Sequence, residues 1–97
     1  MKTRLVNTHK EPFDICIMRP GYYKNPYVIG VHGTRDEVIK LFEGYFISRM
    51  KSMDSHYRYM IHRLEGNVLG CCCKPEACHG DVYIKYFRGE YDSILIA

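Results

Sequence analysis

The chain predicts an α/β fold, a compact single-layer sheet of about four short strands covered by about three helices. Three observations carry this. Short β-rich runs stand early; two amphipathic helical stretches follow; and a nearly continuous apolar run, Asn67 to Cys73, leads into a last helical stretch. Ninety-seven residues are enough for one real core but not two, so residues 1–97 are expected to form a single domain.

Arg4-Leu5-Val6-Asn7 and Phe13-Asp14-Ile15-Cys16-Ile17-Met18 read as strands separated by polar residues around Glu11-Pro12. In the second, Phe13, Ile15 and Ile17 share one face, opposite Asp14 and Cys16, and Cys16 reads as buried apolar filler. Arg19-Pro20-Gly21 then opens a loop through Asn25-Pro26, where two prolines and a glycine exclude regular structure. Arg19, Lys24 and Asn25 give this loop donors suited to phosphate or carboxylate; the alternative is a solvated loop in which Asn25-Pro26 only makes a turn. Tyr27-Val28-Ile29 reads as a brief extended piece.

Thr34-Arg35-Asp36-Glu37 has the form of a capping box, in which the Thr34 hydroxyl and the Glu37 carboxylate satisfy each other's amides. The helix it starts carries an apolar stripe of Val38, Phe42, Tyr45 and Phe46, broadened by Ile39 and Leu41, and frays near Met50 to Met53. A second helix starts at Asp54 or Ser55, buries Tyr57, Met60, Ile61 and Leu64, and stops at Gly66. His56 and His62 lie on it six residues apart, on different faces, which does not suit a shared ligand. Asn67 to Cys73 reads as a central strand. The last helix runs from His79 or Gly80 to Phe87, and the apolar tail Ser93 to Ala97 as a final edge strand or a docked end.

A hydrophobic fraction of 46% and a charged fraction of 26% exclude disorder. A net charge of +3 permits an anionic partner without the dense basic patch of a dedicated nucleic-acid binder. Nine tyrosines and no tryptophan read mainly as half-buried rings with wet hydroxyls. No leader-like segment stands at the start, and no run approaches membrane-spanning length, so a cytoplasmic protein with no membrane partner is expected. In that reducing compartment the five cysteines are expected as thiols or metal ligands rather than disulfides.

Four of those cysteines and a histidine crowd into Cys71-Cys72-Cys73-Lys74-Pro75-Glu76-Ala77-Cys78-His79, followed by Gly80-Asp81. Ligands in open α/β sheets bind where a strand's carboxyl end leads into a helix N-terminus, and the cluster stands there. Strand alternation puts Cys71 and Cys73 on one face and Cys72 on the other. Cys78 sits where unpaired amides and the helix dipole favour an anion, so a lowered thiol pKa is expected, with His79 and Lys74 as electrostatic helpers. Asp81 either caps free amides or orients a histidine. No Cys-x5-Arg phosphatase loop, Cys-x-x-Cys redox pair, phosphate-loop lysine motif or Gly-x-Gly-x-x-Gly occurs. Cys71, Cys73, Cys78 and His79 also form a permitted Cys3His zinc set, although they come from one short loop. A third reading keeps the cysteines as core residues and leaves only Cys78 to Asp81 functional.

The order Asn7, Asp14 to Arg19, Asn25-Pro26, Gly33 to Glu37, Leu69 to Pro75 and Cys78 to Val82 resembles the small bacterial and phage family called domain of unknown function 4326. The specific part is Cys-x-Cys-Lys-Pro-x-x-Cys-His-Gly-Asp. The chain departs from the family's usual residues at Met18, Lys24 and Cys72. The resemblance implies a phage or bacterial protein with a shared site, but names no reaction.

Residue chemistry and resemblance together lead to one expectation: a phosphate-bearing ligand, a nucleotide or nucleic-acid end, bound at the start of the last helix. Arg19, Asn25, Arg35, Cys73 and Lys74 would bind it. Cys78, His79 and Asp81 are the catalytic candidates, with Cys78 and His79 as nucleophile or acid–base pair. The alternatives are a non-catalytic zinc module and a phage protein that binds a host protein through a tyrosine-rich surface.

Overall fold

A computed structural model of the chain describes residues 2–95. Three parallel strands form the sheet: β1 (Arg4–Asn7), β2 (Ile15–Cys16) and β3 (Val68–Cys71), in the order β1-β3-β2. β3 is central, as its apolar run predicts. Leu5 pairs with Leu69 and Asn7 with Cys71 on one side, and Ile15 with Leu69 on the other. Alternation therefore puts Leu5, Ile15, Leu69 and Cys71 on one face.

Four helices follow the early strands: α1 (Arg35–Lys51), α2 (Ser55–His62), α3 (Gly80–Phe87) and α4 (Asp92–Leu95). The capping box forms as the residues predict. Glu37 N–H donates to Thr34 Oγ1 at 3.4 Å, and Thr34 N–H donates to Glu37 Oε1 at 2.8 Å. Asp54 caps α2 through the Tyr57 amide at 3.0 Å. α1 buries Val38, Phe42, Phe46 and Met50, with Tyr45 half-buried and Leu41 exposed.

The core lies between the sheet and α1, α2 and α3, where Ile17, Phe42, Phe46, Ile61, Leu64 and Leu69 are all less than 2% exposed. Each such side chain contributes about 1.5–3 kcal/mol on burial. Tyr83 joins it edge-on to Phe42, with ring centroids 5.5 Å apart. Of the nine tyrosines, Tyr22 and Tyr59 are exposed; the rest are buried or half-buried, in keeping with rings that pack while their hydroxyls find partners. No helix among the described residues is long and apolar enough to cross a membrane.

Gly80 sets how closely α3 approaches the sheet. A Cβ there would stand 2.6 Å from Ile17 Cδ1 and 2.9 Å from Leu5 Cδ1. Any side chain at residue 80 would push the helix start, and the cluster turn before it, off the strands.

Several expectations need correcting. The sheet has three strands, not four, since neither Tyr27 to Ile29 nor the tail adds one, and only Ile15 and Cys16 of the expected Phe13–Met18 strand pair with β3. Cys16 is exposed rather than filler, since it projects to the face away from the helices. Tyr27 to Ile29 makes no strand; Ile29 forms an isolated bridge with Gly33. The second helix ends at His62, four residues before Gly66, which does take a positive φ of 79° in the turn that follows. The tail is docked, but as the helix α4 and not as an edge strand. Tyr91 and Leu95, four apart, turn toward α1, and Tyr91 Oη donates to Glu43 Oε2 at 2.6 Å. Ile96 and Ala97 lie outside the described residues.

Candidate functional site

The turn between β3 and α3 is held by its own polar groups. Asn7, at the carboxyl end of β1, donates from Nδ2 to the Lys74 carbonyl at 2.6 Å. Asp81, in the first turn of α3, accepts from Lys74 Nζ at 2.7 Å and from the Cys78 amide at 3.1 Å. One carboxylate thus closes the turn at both ends and satisfies an amide that the helix start leaves open. The peptide bonds before Pro20 and Pro75 are cis.

His79 joins this turn to the loop after β2. Its Nε2 lies 3.1 Å from the Ile17 carbonyl and 2.9 Å from the Tyr23 carbonyl. Two acceptors on one nitrogen require that it carry the hydrogen, so Nδ1 keeps a lone pair, 3.6 Å from Cys78 Sγ. The ring packs edge-on against Phe42 with centroids 5.1 Å apart. Burial lowers the His79 pKa, and the two carbonyls offset only part of that.

The loop bearing Arg19 is pinned by buried groups on the same side. The Tyr23 carbonyl also accepts from Tyr83 Oη at 3.0 Å, and Tyr23 Oη donates to the Met60 carbonyl at 2.8 Å. Asn25 is buried and occupied at both ends of its amide: Nδ2 donates to the Val38 carbonyl at 3.2 Å, and Oδ1 accepts from the Tyr27 amide at 2.9 Å.

Arg35 crosses from the first residue of α1 to the cluster turn. It donates to the Ala77 carbonyl at 3.1 Å and pairs with Glu76 at 3.1 Å, and the neighbouring Cys73 side chain, ahead of Glu76, raises its pKa.

These contacts enclose a pocket of about 90 Å³ lined by Arg19, Asn25, Arg35, Cys73, Cys78 and His79, with an apolar wall from Val38 and Ile39. The stretches around residues 19–25, 35–39 and 73–79 are far apart in sequence and meet here. Arg19 is exposed and takes part in no ion pair among the described residues. Lys74, committed to Asp81, lies outside the pocket wall.

The sulfurs differ from expectation. Cys78 is buried, and its thiol is pushed up, not down: it donates to Cys71, and burial adds to the shift. Cys71 moves the opposite way, because the Cys78 thiol and amides of the following turn favour its thiolate. The two thiols thus shift in opposite directions, Cys71 down and Cys78 up. A helix start alone would lower Cys78; the partner across the turn reverses the sign. Cys73 is half-buried and Cys72 exposed. Cys71, Cys73, Cys78 and His79 do not converge as a metal set: among the described residues no three His, Cys, Asp or Glu side chains stand where one ion could be held.

Asn7, Tyr23 and Glu76 were absent from the sequence-derived site. Asn7 and Tyr23 act through the ends of a strand and a loop. Glu76, opposite Arg35, has no local signal beyond its place in the motif.

The family model described as domain of unknown function (DUF4326) matches residues 2–89. Over 79 residues the chain is 42% identical to a protein of Enterobacteria phage T4, described as an uncharacterized 12.4 kDa protein in the nrdA-td intergenic region; the match covers 81% of this chain and 71% of that protein. No solved structure matches the chain.

Proposed function

The chain belongs to the family described as domain of unknown function (DUF4326), and from that premise we propose that it binds a phosphate-bearing ligand, a nucleotide or nucleic-acid end, in the pocket between the Arg19 loop and the start of α3. The observation that carries this is the unpaired, exposed Arg19 at the mouth of a pocket whose other cation, Arg35, is held by the turn. At about 90 Å³ the space suits a phosphate group and not a base, so the rest of the ligand extends outward. Arg19 makes the charge-assisted contact and Arg35 supplies fixed positive potential. Asn25, Asp81 and Lys74 act as positioning residues, since their polar groups are spent on the loop and the turn. Five free cysteines favour a reducing compartment such as the cytoplasm.

Thermal denaturation with inorganic phosphate and with nucleoside monophosphates tests this. Each should raise the melting temperature of the wild type, and Arg19→Ala should abolish the rise while leaving the ligand-free melting temperature unchanged. No rise in the wild type, or an equal rise in Arg19→Ala, would overturn it.

A catalytic reading of the same site has one observation in its favour: His79 Nδ1 stands 3.6 Å from Cys78 Sγ, and it requires the thiol to turn its hydrogen from Cys71 to that nitrogen. It assigns Cys78 as nucleophile, His79 as base and Asp81 as the residue that holds the turn. Cys78→Ser should then abolish turnover of a phosphate ester without changing phosphate binding.

A further inference from the structure

Beside the small pocket runs a larger groove of about 750 Å³ between β1, α3 and the start of α1. Its walls carry five cationic side chains, Lys2, Arg4, Lys74, Lys85 and Arg88, against two carboxylates, Asp36 and Asp81. Asp81 and Lys74 are spent on each other at 2.7 Å, which leaves four cations against Asp36. Arg4 pairs with Glu11 and Arg88 more distantly with Glu90, at 3.3 and 3.9 Å, both between exposed side chains that release readily to a stronger anion. Lys2 and Lys85 are in no ion pair among the described residues. The floor is aliphatic, from Leu5, Ile39 and Ile84.

The groove and the small pocket share a wall. Ala77 and Ile39 line both, and Lys74 follows Cys73 across their common edge. The cations extend from that edge along α3 to Arg88, eight residues of helix or about 12 Å. A free nucleotide in the small pocket would leave the far cations unmatched. A ligand that answers both stations needs negative charge repeated at intervals along its length.

We propose that the groove binds the phosphodiester backbone of a nucleic-acid strand leading away from the phosphate pocket, which deepens the reading above and rests on it. An acidic protein segment is disfavoured. It would bring nothing to use a phosphate-sized pocket at its end. The groove offers no aromatic platform, so binding is through the backbone and tolerant of sequence.

The test is fluorescence anisotropy with a 5′-phosphorylated oligonucleotide, in DNA and RNA forms, against Lys85→Glu/Arg88→Glu and Arg19→Ala. Lys85 and Arg88 are exposed, so the double variant should fold as the wild type does. It is expected to weaken oligonucleotide binding by about tenfold or more and to flatten its salt dependence by roughly one unit of slope per lost contact. Inorganic phosphate should still stabilise it. The salt titration of the unaltered protein is a readout that needs no variant. Unchanged binding in the double variant overturns the proposal. So does binding no tighter than that of a nucleoside monophosphate, or an equally tight acidic peptide. Failure of the pocket reading looks different: phosphate fails to stabilise the wild type and Arg19→Ala changes nothing, while the double variant still loses the oligonucleotide.

Discussion

His79 gives its Nε2 hydrogen to the Tyr23 carbonyl at 2.9 Å, and that bond ties the Arg19 loop to the start of α3. Replacing His79 by Ala takes the donor from the Ile17 carbonyl, leaves the Tyr23 carbonyl with Tyr83 Oη alone, and opens a gap beside Phe42. The expected loss is about 2–4 kcal/mol, from the unmet Ile17 acceptor and the lost packing together. Chemical denaturation should show a lower midpoint, and proteolysis should cut first between Arg19 and Asn25.

The same histidine makes stability depend on pH. Burial lowers its folded pKa below the ordinary 6.5, so the folded state resists protonation more than the unfolded chain does. Its contribution is fully present above the unfolded value and is lost as pH falls through the folded one. Melting temperature should therefore fall as pH drops below about 6.5, before carboxylates titrate. A His79→Gln variant, which keeps a donor but cannot charge, should lose that part of the slope; an unchanged slope would rule out His79 as its source.

Two glycine-to-alanine changes should have opposite signs. Gly44 lies within α1 with nothing within 4 Å of an added Cβ, so Gly44→Ala gains helix propensity of about 0.5–1 kcal/mol. Gly80→Ala gains the same propensity, but its Cβ would overlap Ile17 and Leu5 side chains at 2.6 and 2.9 Å. Overpacking costs about 1–3 kcal/mol and should win. Denaturation midpoints of the two variants decide it.

Thiol reactivity should follow exposure and proton placement. Cys16 and Cys72 should alkylate first, Cys73 more slowly, and Cys71 and Cys78 only on unfolding. Mass spectrometry after timed iodoacetamide treatment reads the order. A phosphate ligand should slow Cys73 and leave Cys16 unaffected, because Cys73 lines the pocket and Cys16 does not.

Asp81 should show a graded effect. Asp81→Asn keeps an acceptor for the Cys78 amide and loses the ion pair with Lys74, which is partly solvated and contributes about 1 kcal/mol or less. Asp81→Ala loses both and should cost about 1 kcal/mol more. Equal losses would show that the amide contact contributes nothing.

What was legible in the sequence was mostly local. Thr34 and Glu37 announce α1 because a capping box needs only four residues, and Asp54 announces α2 in the same way. β2 was overdrawn because periodicity marks a face but not how many residues find a partner; pairing stops after Cys16. The tail misled because an apolar run fits a strand or a short docked helix, and Glu43 of α1, not a strand edge, receives Tyr91. In the site, the motif located the turn and the loop's donors suggested its companion. The direction of the Cys78 shift depends on Cys71 across the turn, and the groove's cations are drawn from both ends of the chain, so neither had a local signal.

The clasp between loop and helix uses main-chain oxygens of Ile17 and Tyr23, atoms every amino acid possesses. Residues such as Arg19, Tyr22 and Lys24 can therefore be exchanged without undoing the clasp. The loop's outward-facing side chains are thus free to vary while the clasping histidine stays put.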